Sequence, residues 1–289
     1  MQIRFATAGA AEGWAEVQMA ASPYLVSSEA AVVHDMQHHP ATLARYVVVE
    51  DGEVLGLTRL RASEGGPPSV TVQVGPEHRG RGVGRLLFER VLSVAGTSAL
   101  SGLVNGDDRS LAVARHWGFE PEREHRISTL DPRTTPAPPA APVGLRVVPL
   151  ADAGAEAVWA CRQAAAADDP SGLSRPLPLG EYLGQEWHSP LHRTDLGRAV
   201  LDGDTVLAFS AVDVAGERAW SSMTGCLPRR RGQGLATLAK SHALHALAAA
   251  GVTRCSTGND RENGPMLAVN DRLGYRPSAS VWSARRAGR

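Results

Sequence analysis

Residues 74–84 read Val74-Gly75-Pro76-Glu77-His78-Arg79-Gly80-Arg81-Gly82-Val83-Gly84. Residues 69–74 (SVTVQV) lead into this stretch and alternate polar with apolar, the period of a β-strand. Beyond it, Leu86, Leu87, Val91, Leu92 and Val94 recur at helical spacing. A strand that ends in a glycine-rich turn opening a helix is a ready anion site. The unbonded amides of the first helical turn and the helix dipole both favour phosphate oxygens. Glycine lets that backbone come close, and Arg79 and Arg81 add positive charge. A nucleotide-hydrolysing P-loop would need Gly-Lys-Ser/Thr, and no lysine stands here. A dinucleotide fingerprint would need a different glycine spacing and a place early in the chain. A plain glycine turn is the remaining alternative for a single occurrence.

The occurrence is not single. Residues 229–236 read Arg229-Arg230-Arg231-Gly232-Gln233-Gly234-Leu235-Ala236, again between a predicted strand (220–226) and a predicted helix (236–250). Downstream, Trp117-Gly118-Phe119 matches Leu273-Gly274-Tyr275. Upstream of each turn lies a predicted hairpin. The first joins residues 46–50 and 54–61 through Asp51-Gly52; the second joins 199–201 and 205–214 through Asp202-Gly203. Further strands are expected at 100–104, 123–130, 254–257 and 278–283, and short helices at 110–117 and 265–273. The chain reads as one fold written twice. Between the copies, residues 131–144 (DPRTTPAPPAAPVG) hold five prolines, which predicts a stiff, extended connector. The expected domains are therefore 1–130 and 145–289, joined by 131–144.

The pattern Arg-x-x-Gly-x-Gly/Ala between strand and helix resembles the acyl-CoA pyrophosphate loop of the GNAT N-acetyltransferase superfamily. The first copy matches it almost letter for letter, and the resemblance covers both halves, leaving out only the linker. It implies an α+β (mixed α/β) chain of two tandem GNAT domains, each a mixed, splayed sheet flanked by helices, in an arrangement similar to mycothiol-synthase relatives. It implies acetyl-CoA as acyl donor, with the pantetheine arm in a notch between splayed strands. The notch walls would be residues 72–74 with residues 100–104, and residues 225–227 with residues 254–257, with Val72, Val74, Cys226 and Leu227 as cofactor-binding residues. The cofactor loops would be Arg79, Gly80, Arg81, Gly82, Val83 and Gly84, and Arg231, Gly232, Gln233, Gly234, Leu235 and Ala236. The family commonly places Asn seven residues before a Tyr that protonates the leaving thiolate. Here those positions are Asn263 and Asn270 in the second half, and Asp107 and Ala114 in the first. Neither half carries the usual tyrosine. The second keeps more of the constellation and is the expected catalytic half.

Direct acyl transfer needs a neutral amine, an oriented thioester and a route for the proton, with no covalent triad. Asp213 and Glu217 are candidate bases, against the alternative of solvated acids. Tyr275 is a candidate proton donor, against a core aromatic. Cys226 is either a small buried residue or, less simply, an acyl-carrying thiol. The acceptor is expected opposite the cofactor, over residues 168–188, where Asp168 and Asp169 would attract a cationic amine and Trp187 would stack on it.

Composition narrows the alternatives. The 289 residues carry 30 basic and 30 acidic side chains, so no bulk field recruits nucleic acid or an anionic membrane. Hydrophobic residues at 43% and charged residues at 21% suit an ordinary globular core. Cys161, Cys226 and Cys255 are far apart and odd in number, so they suggest neither a disulfide framework nor a zinc site. His34, His38 and His39 are read as a helix end rather than a metal site. No apolar segment resembles a signal peptide or membrane span, and a cytoplasmic location is expected. The expected partner is a small-molecule amine, with no metal, no nucleic acid and no membrane, in a monomer or homodimer. The rival functions are a non-catalytic acyl-CoA sensor or scaffold and a protein-modifying acetyltransferase.

Overall fold

The computed structural model describes residues 1–39, 41–63, 65–96, 98–167 and 175–288. In chain order the elements are β1 (Gln2–Phe5), α1 (Ala11–Ala21), α2 (Glu29–His38), β2 (Thr42–Glu50), β3 (Glu53–Arg61), β4 (Ser69–Val74), α3 (Val83–Ala95), β5 (Leu100–Asn105), α4 (Asp108–His116) and β6 (Phe119–Leu130). They continue with β7 (Leu145–Pro149), α5 (Leu150–Ala153), α6 (Ala155–Ala166), α7 (Leu179–Tyr182), β8 (Arg198–Asp202), β9 (Thr205–Ala215), β10 (Arg218–Cys226), α8 (Leu235–Ala249), β11 (Arg254–Asp260), α9 (Gly264–Leu273) and β12 (Arg276–Arg286). Contacts divide the chain into two compact units. Unit 1 is Met1–Arg126 with Ala279–Arg289, and unit 2 is Ile127–Ser278. The boundaries fall inside β6 and β12, so the end of the chain belongs with its beginning.

In unit 1 the sheet order is β1-β2-β3-β4-β5-β12-β6. The β2–β3 hairpin turns at Asp51 (φ 50°) and Gly52 (φ 87°), the two left-handed residues a tight primed turn requires. Strand β5 runs parallel to β4 and antiparallel to β12, which is held from Val281↔Asn105 to Arg286↔Leu100. One face buries Val47 and Leu57 under Trp14 and Ala15 of α1. The other buries Leu60, Val70 and Leu100 under Phe88 and Val91 of α3, joined by Ala284 from β12. The spacing Val83, Leu87, Phe88, Val91 puts the buried side chains of α3 on one helical stripe.

In unit 2 the order is β6-β11-β10-β9-β8-β7, and β6 belongs to this unit from Ile127 onward. Again β10–β11 is parallel while β7, β8, β9 and β10 pair antiparallel in sequence. Alternate residues of β9 divide the two faces. Phe209 and Ala211 pack with Val158 and Cys161 of α6, whereas Val212 packs with Ala243, Leu244 and Leu247 of α8. Burying each such large apolar side chain contributes about 1.5–3 kcal/mol. Residues 136–142 have no regular structure, and the strap rests on α8, where His242 Nε2 lies 2.9 Å from the Pro139 carbonyl.

Candidate functional site

The two glycine loops fold alike. In each, a short 3-10 turn (Pro76–His78; Pro228–Arg230) leads to an extended arginine, Arg79 (φ −68°, ψ 148°) or Arg231 (φ −66°, ψ 159°). Two left-handed glycines follow, Gly80 and Gly82 at 85° and 83°, Gly232 and Gly234 at 76° and 77°. The second of each pair is the N-cap, with no side chain bonded to the helix amides. The first intrahelical bonds are Leu86 N–H to Gly82 O and Leu238 N–H to Gly234 O, which leaves the amides of Val83, Gly84 and Arg85, and of Leu235, Ala236 and Thr237, as first-turn donors. A Cβ at Gly82, Gly232 or Gly234 would meet nothing within 4 Å. Both loops are thus open cradles of backbone N–H groups at a positive dipole end, a fit for a pyrophosphate. The arginines differ. Arg81 is ion-paired with Glu50, and that bond holds the Glu50 carboxyl below its usual range. Arg230 leans on Gln233 at 3.1 Å, while Arg231 and Gln233 are exposed.

Beside each loop the parallel strands part. β4 and β5 pair only at Ser69↔Ser101 and Val70↔Gly102, and β10 and β11 only from Arg218↔Arg254 to Trp220↔Ser256. Val72 and Val74 lie beyond the last pair in unit 1, half-buried, as Cys226 and Leu227 do in unit 2. In unit 2 the splay coincides with a bulge of β10 against β9 between Ser221 and Thr224. In unit 1 the segment after α1 spans the gap. Gln73 Nε2 donates to Ser22 Oγ at 3.2 Å, and the Tyr24 hydroxyl donates to Asn105 Oδ1 at 2.7 Å. Gln73 and Asn105 each stand three residues past the last paired residue of their strand.

The Asn263 and Asp107 side chains are both N-caps. Asn263 Oδ1 accepts from Met266 N–H at 3.2 Å, and Asp107 Oδ1 accepts from Ser110 N–H at 2.9 Å. Burial opposes ionisation of Asp107, but the Ser110 hydrogen bonds and the Arg79 guanidinium outweigh it and lower its pKa. Seven residues on, Ala114 is buried, and Asn270 is fully buried with neither amide end open. Asn270 Oδ1 accepts from Lys240 Nζ at 2.7 Å, and Nδ2 donates to Asn259 Oδ1 at 2.6 Å.

The candidate acids and bases are scattered. Glu217 sits at the β9–β10 turn, the end of β10 opposite the splay. At about 3.3 Å per residue the strand from Arg218 to Cys226 carries it some 26 Å from the notch mouth. Tyr275 is fully buried, its hydroxyl 3.2 Å from Cys255 Sγ, and burial raises its pKa well above the ordinary value. Burial likewise raises the Cys226 thiol, against the pull of Arg231 and Arg230, so the thiolate is disfavoured where an acyl-carrying role would need it. Asp213 is half-buried on β9, opposite Trp220, the last residue of β10 that pairs with β11. Its Oδ1 lies 3.1 Å from His192 Nδ1, and His192 has Trp187 at a ring distance of 5.9 Å. His192 carries no motif in the sequence; only the fold brings it to Asp213. The acids Asp168 and Asp169, with Pro170, lie outside the described residues. At the end of α2, the His34 and His38 rings stack at 4.0 Å, and His39 pairs with Asp35.

Comparison with known proteins agrees with this architecture. Residues 12–119 match the family model "Acetyltransferase (GNAT) family". The chain is 30% identical over 245 residues to a mycothiol acetyltransferase of Clavibacter michiganensis subsp. michiganensis, covering 82% of this chain and 78% of that protein. It is also 30% identical over 243 residues to one of Tsukamurella paurometabola, covering 79% and 80%. Among solved structures, a tandem GNAT protein from the clavulanic acid biosynthesis pathway superposes with a TM-score of 0.73 at 22% identity, covering 98% of this chain and 97% of that one. A GCN5-related N-acetyltransferase from Sphaerobacter thermophilus gives 0.72 at 17% identity, covering 100% and 96%. With two parted parallel strand pairs, two matching glycine cradles and these relatives, the chain belongs to the acetyltransferase (GNAT) family, as an acyltransferase of the tandem-domain type.

Proposed function

We propose that unit 2 is an acetyl-CoA-dependent N-acetyltransferase site acting on the primary amine of a small molecule. The observation that carries this reading is that β10, where it parts from β11, leads into the loop that ends at the uncapped amides of α8. A thioester arm laid in the splay would find backbone donors and acceptors that the parted strands no longer use on each other. Its pyrophosphate would lie on the amides of Leu235 and Ala236, with Gly232 and Gly234 giving access and Arg229 and Arg231 supplying charge. Asn263, its oxygen engaged in the cap, keeps its NH2 for the arm. The bulge at Ser221–Thr224 would turn backbone toward the thioester, where an N–H can polarise the carbonyl. The amine would arrive on the face carrying α6 and Trp187. Unit 1 retains the cradle, but Ser22 and Tyr24 tie its two strands together across the notch, which favours acyl-CoA binding there without turnover. The names of the relatives put desacetylated mycothiol on the panel of acceptors to be tried.

Calorimetric titration with acetyl-CoA, followed by thiol release over a panel of primary amines, tests this reading. Gly234→Trp is expected to lower turnover by about 100-fold or more, because the indole would fill the space proposed for the pyrophosphate and misplace the thioester, while Gly82→Trp leaves it within about threefold. Turnover abolished by Gly82→Trp and retained in Gly234→Trp would overturn the choice of unit 2. Binding with no turnover on any amine would support a sensor instead.

A further inference from the structure

We infer that His192 is the catalytic base of unit 2 and that Asp213 is the residue that positions it. This rests on the reading of unit 2 as the acetyl-transfer site. Asp213 Oδ1 lies 3.1 Å from His192 Nδ1, so a neutral imidazole donates from Nδ1 and leaves Nε2 as the basic nitrogen. That Nε2 is buried, with no hydrogen-bond partner among the described residues. A buried ring nitrogen left without a partner forgoes a hydrogen bond that folding normally secures, and here it is the basic nitrogen of a ring held by a carboxylate.

The ring is also held rigidly. His192 and Asp213 form an antiparallel bridge, flanked by Arg193 N–H to Val212 O at 3.0 Å and Val214 N–H to Leu191 O at 2.8 Å. The segment before β8 is thereby fixed to β9 at the level where the β10–β11 pairing ends. Asp213 has the same strand parity as Phe209 and Ala211, which pack under α6, so the pair stands on the face opposite α8. That is the face proposed for the amine, and Trp187 beside His192 suits a cation next to the base. The neighbouring acid Glu186 is engaged by both arms of Arg162, at 2.8 and 2.6 Å, which leaves Asp213 as the carboxylate bonded to His192.

In the reaction, Nε2 takes one proton from the acceptor's ammonium group, leaving a neutral amine and an imidazolium. The amine lone pair attacks the thioester carbonyl carbon. The C–N bond forms, the C–S bond breaks with its electron pair going to sulfur, and a proton from the amine nitrogen passes to that thiolate. The imidazolium returns its proton to solvent. Asp213 holds the ring and stabilises the imidazolium.

The test uses the full chain with acetyl-CoA and four probe amines: tyramine, putrescine, spermidine and glucosamine. Initial rates are read as thiol release from pH 5 to 9, and melting temperature is recorded for every variant. In His192→Gln, kcat should fall about 100-fold or more, the acidic limb of the kcat/KM profile should vanish, and the KM for acetyl-CoA should stay within about twofold. Asp213→Asn should lower kcat by about tenfold or more at an unchanged KM for acetyl-CoA. A His192→Gln enzyme that keeps its rate while Gly234→Trp loses it would overturn this inference alone. A reduced rate with the acidic limb retained would also overturn it, by showing a structural role. No turnover by the unaltered protein on any of the four amines would overturn both the base and the reading of unit 2.

Discussion

Lys240 Nζ donates a 2.7 Å hydrogen bond to Asn270 Oδ1 where both side chains are cut off from solvent. The chain's one lysine therefore stands in the core of unit 2, with no carboxylate partner among the described residues and with the Tyr275 ring 4.7 Å away. Removing Asn270 leaves the buried ammonium without its hydrogen-bond acceptor; removing Lys240 leaves only an unpaired neutral carbonyl. Asn270→Ala is therefore expected to cost more than the about 1–3 kcal/mol of the carbonyl orphaned by Lys240→Met. Urea denaturation of the two variants and the double mutant checks this, and the double mutant should be less damaged than the sum.

The same cluster sets a pH window. Burial pushes Lys240 from 10.5 down to about 8, so the folded state gives up a proton that the unfolded state still holds. Lys240 by itself therefore adds about 1 kcal/mol of stability to unit 2 between pH 8 and 9. Burial moves Cys161, Cys226 and Cys255, and Tyr182 and Tyr275, the other way, above their ordinary 9.0 and 10.0. Their unfolded forms ionise first, so the thiols oppose the gain as pH approaches 9 and outweigh it above that, and the tyrosines add to the loss above about pH 10. Stability measured from pH 7 to 11 should fall steeply above about pH 9, and Lys240→Met should bring the fall to lower pH.

Asn263 has two separable duties. Its oxygen caps α9, and its NH2 is proposed to hold the acyl-donor arm. Asn263→Asp retains the cap, so stability should stay within about 0.5 kcal/mol, whereas Asn263→Ala should lose about 1 kcal/mol. Both variants should bind acetyl-CoA less tightly by about tenfold, the value of one hydrogen bond to the arm. Calorimetry alongside thermal melts separates the two duties.

Unit 1 should be the more acid-sensitive half. Asp35 meets Arg45 at 2.7 Å, Arg59 at 3.3 Å and Arg61, with His39 at 3.1 Å. Burial and then the Arg61 charge push His39 from 6.5 down to about 4, so it stays neutral while its unfolded form takes a proton. As pH falls from 6.5 to 4, unit 1 should lose about 1–2 kcal/mol, allowing for solvent screening at a partly exposed ring. Burial opposes ionisation of Asp35, but Arg59 and Arg61 outweigh it and lower its pKa. Its share is therefore lost below about pH 3.8, as the unfolded carboxyl and then the folded one take up protons. Amide exchange of β2 and β3 from pH 7 to 4 reads the first loss, and His39→Asn should flatten it.

Much of this was legible in residue order because it is local. Asp51-Gly52 marks a primed turn, and the loop glycines mark left-handed positions that only their type adopts freely. Gly118 (φ 81°) and Gly274 (φ 96°) mark the ends of two short helices for the same reason. From such positions follow the two copies, the strand–cradle–helix order and the acyltransferase family. What the tertiary structure alone decided depends on strands far apart in sequence. Residues 278–283 read as the last strand of the second copy, yet β12 pairs with β5 of the first from Val281 to Arg286, because a strand's alternation fixes its faces and not its neighbour. The meeting of His192 with Asp213 and the burial of Lys240 against Asn270 have the same origin. A side chain's charge and partners are set by what packs around it, and spacing along the chain does not encode that.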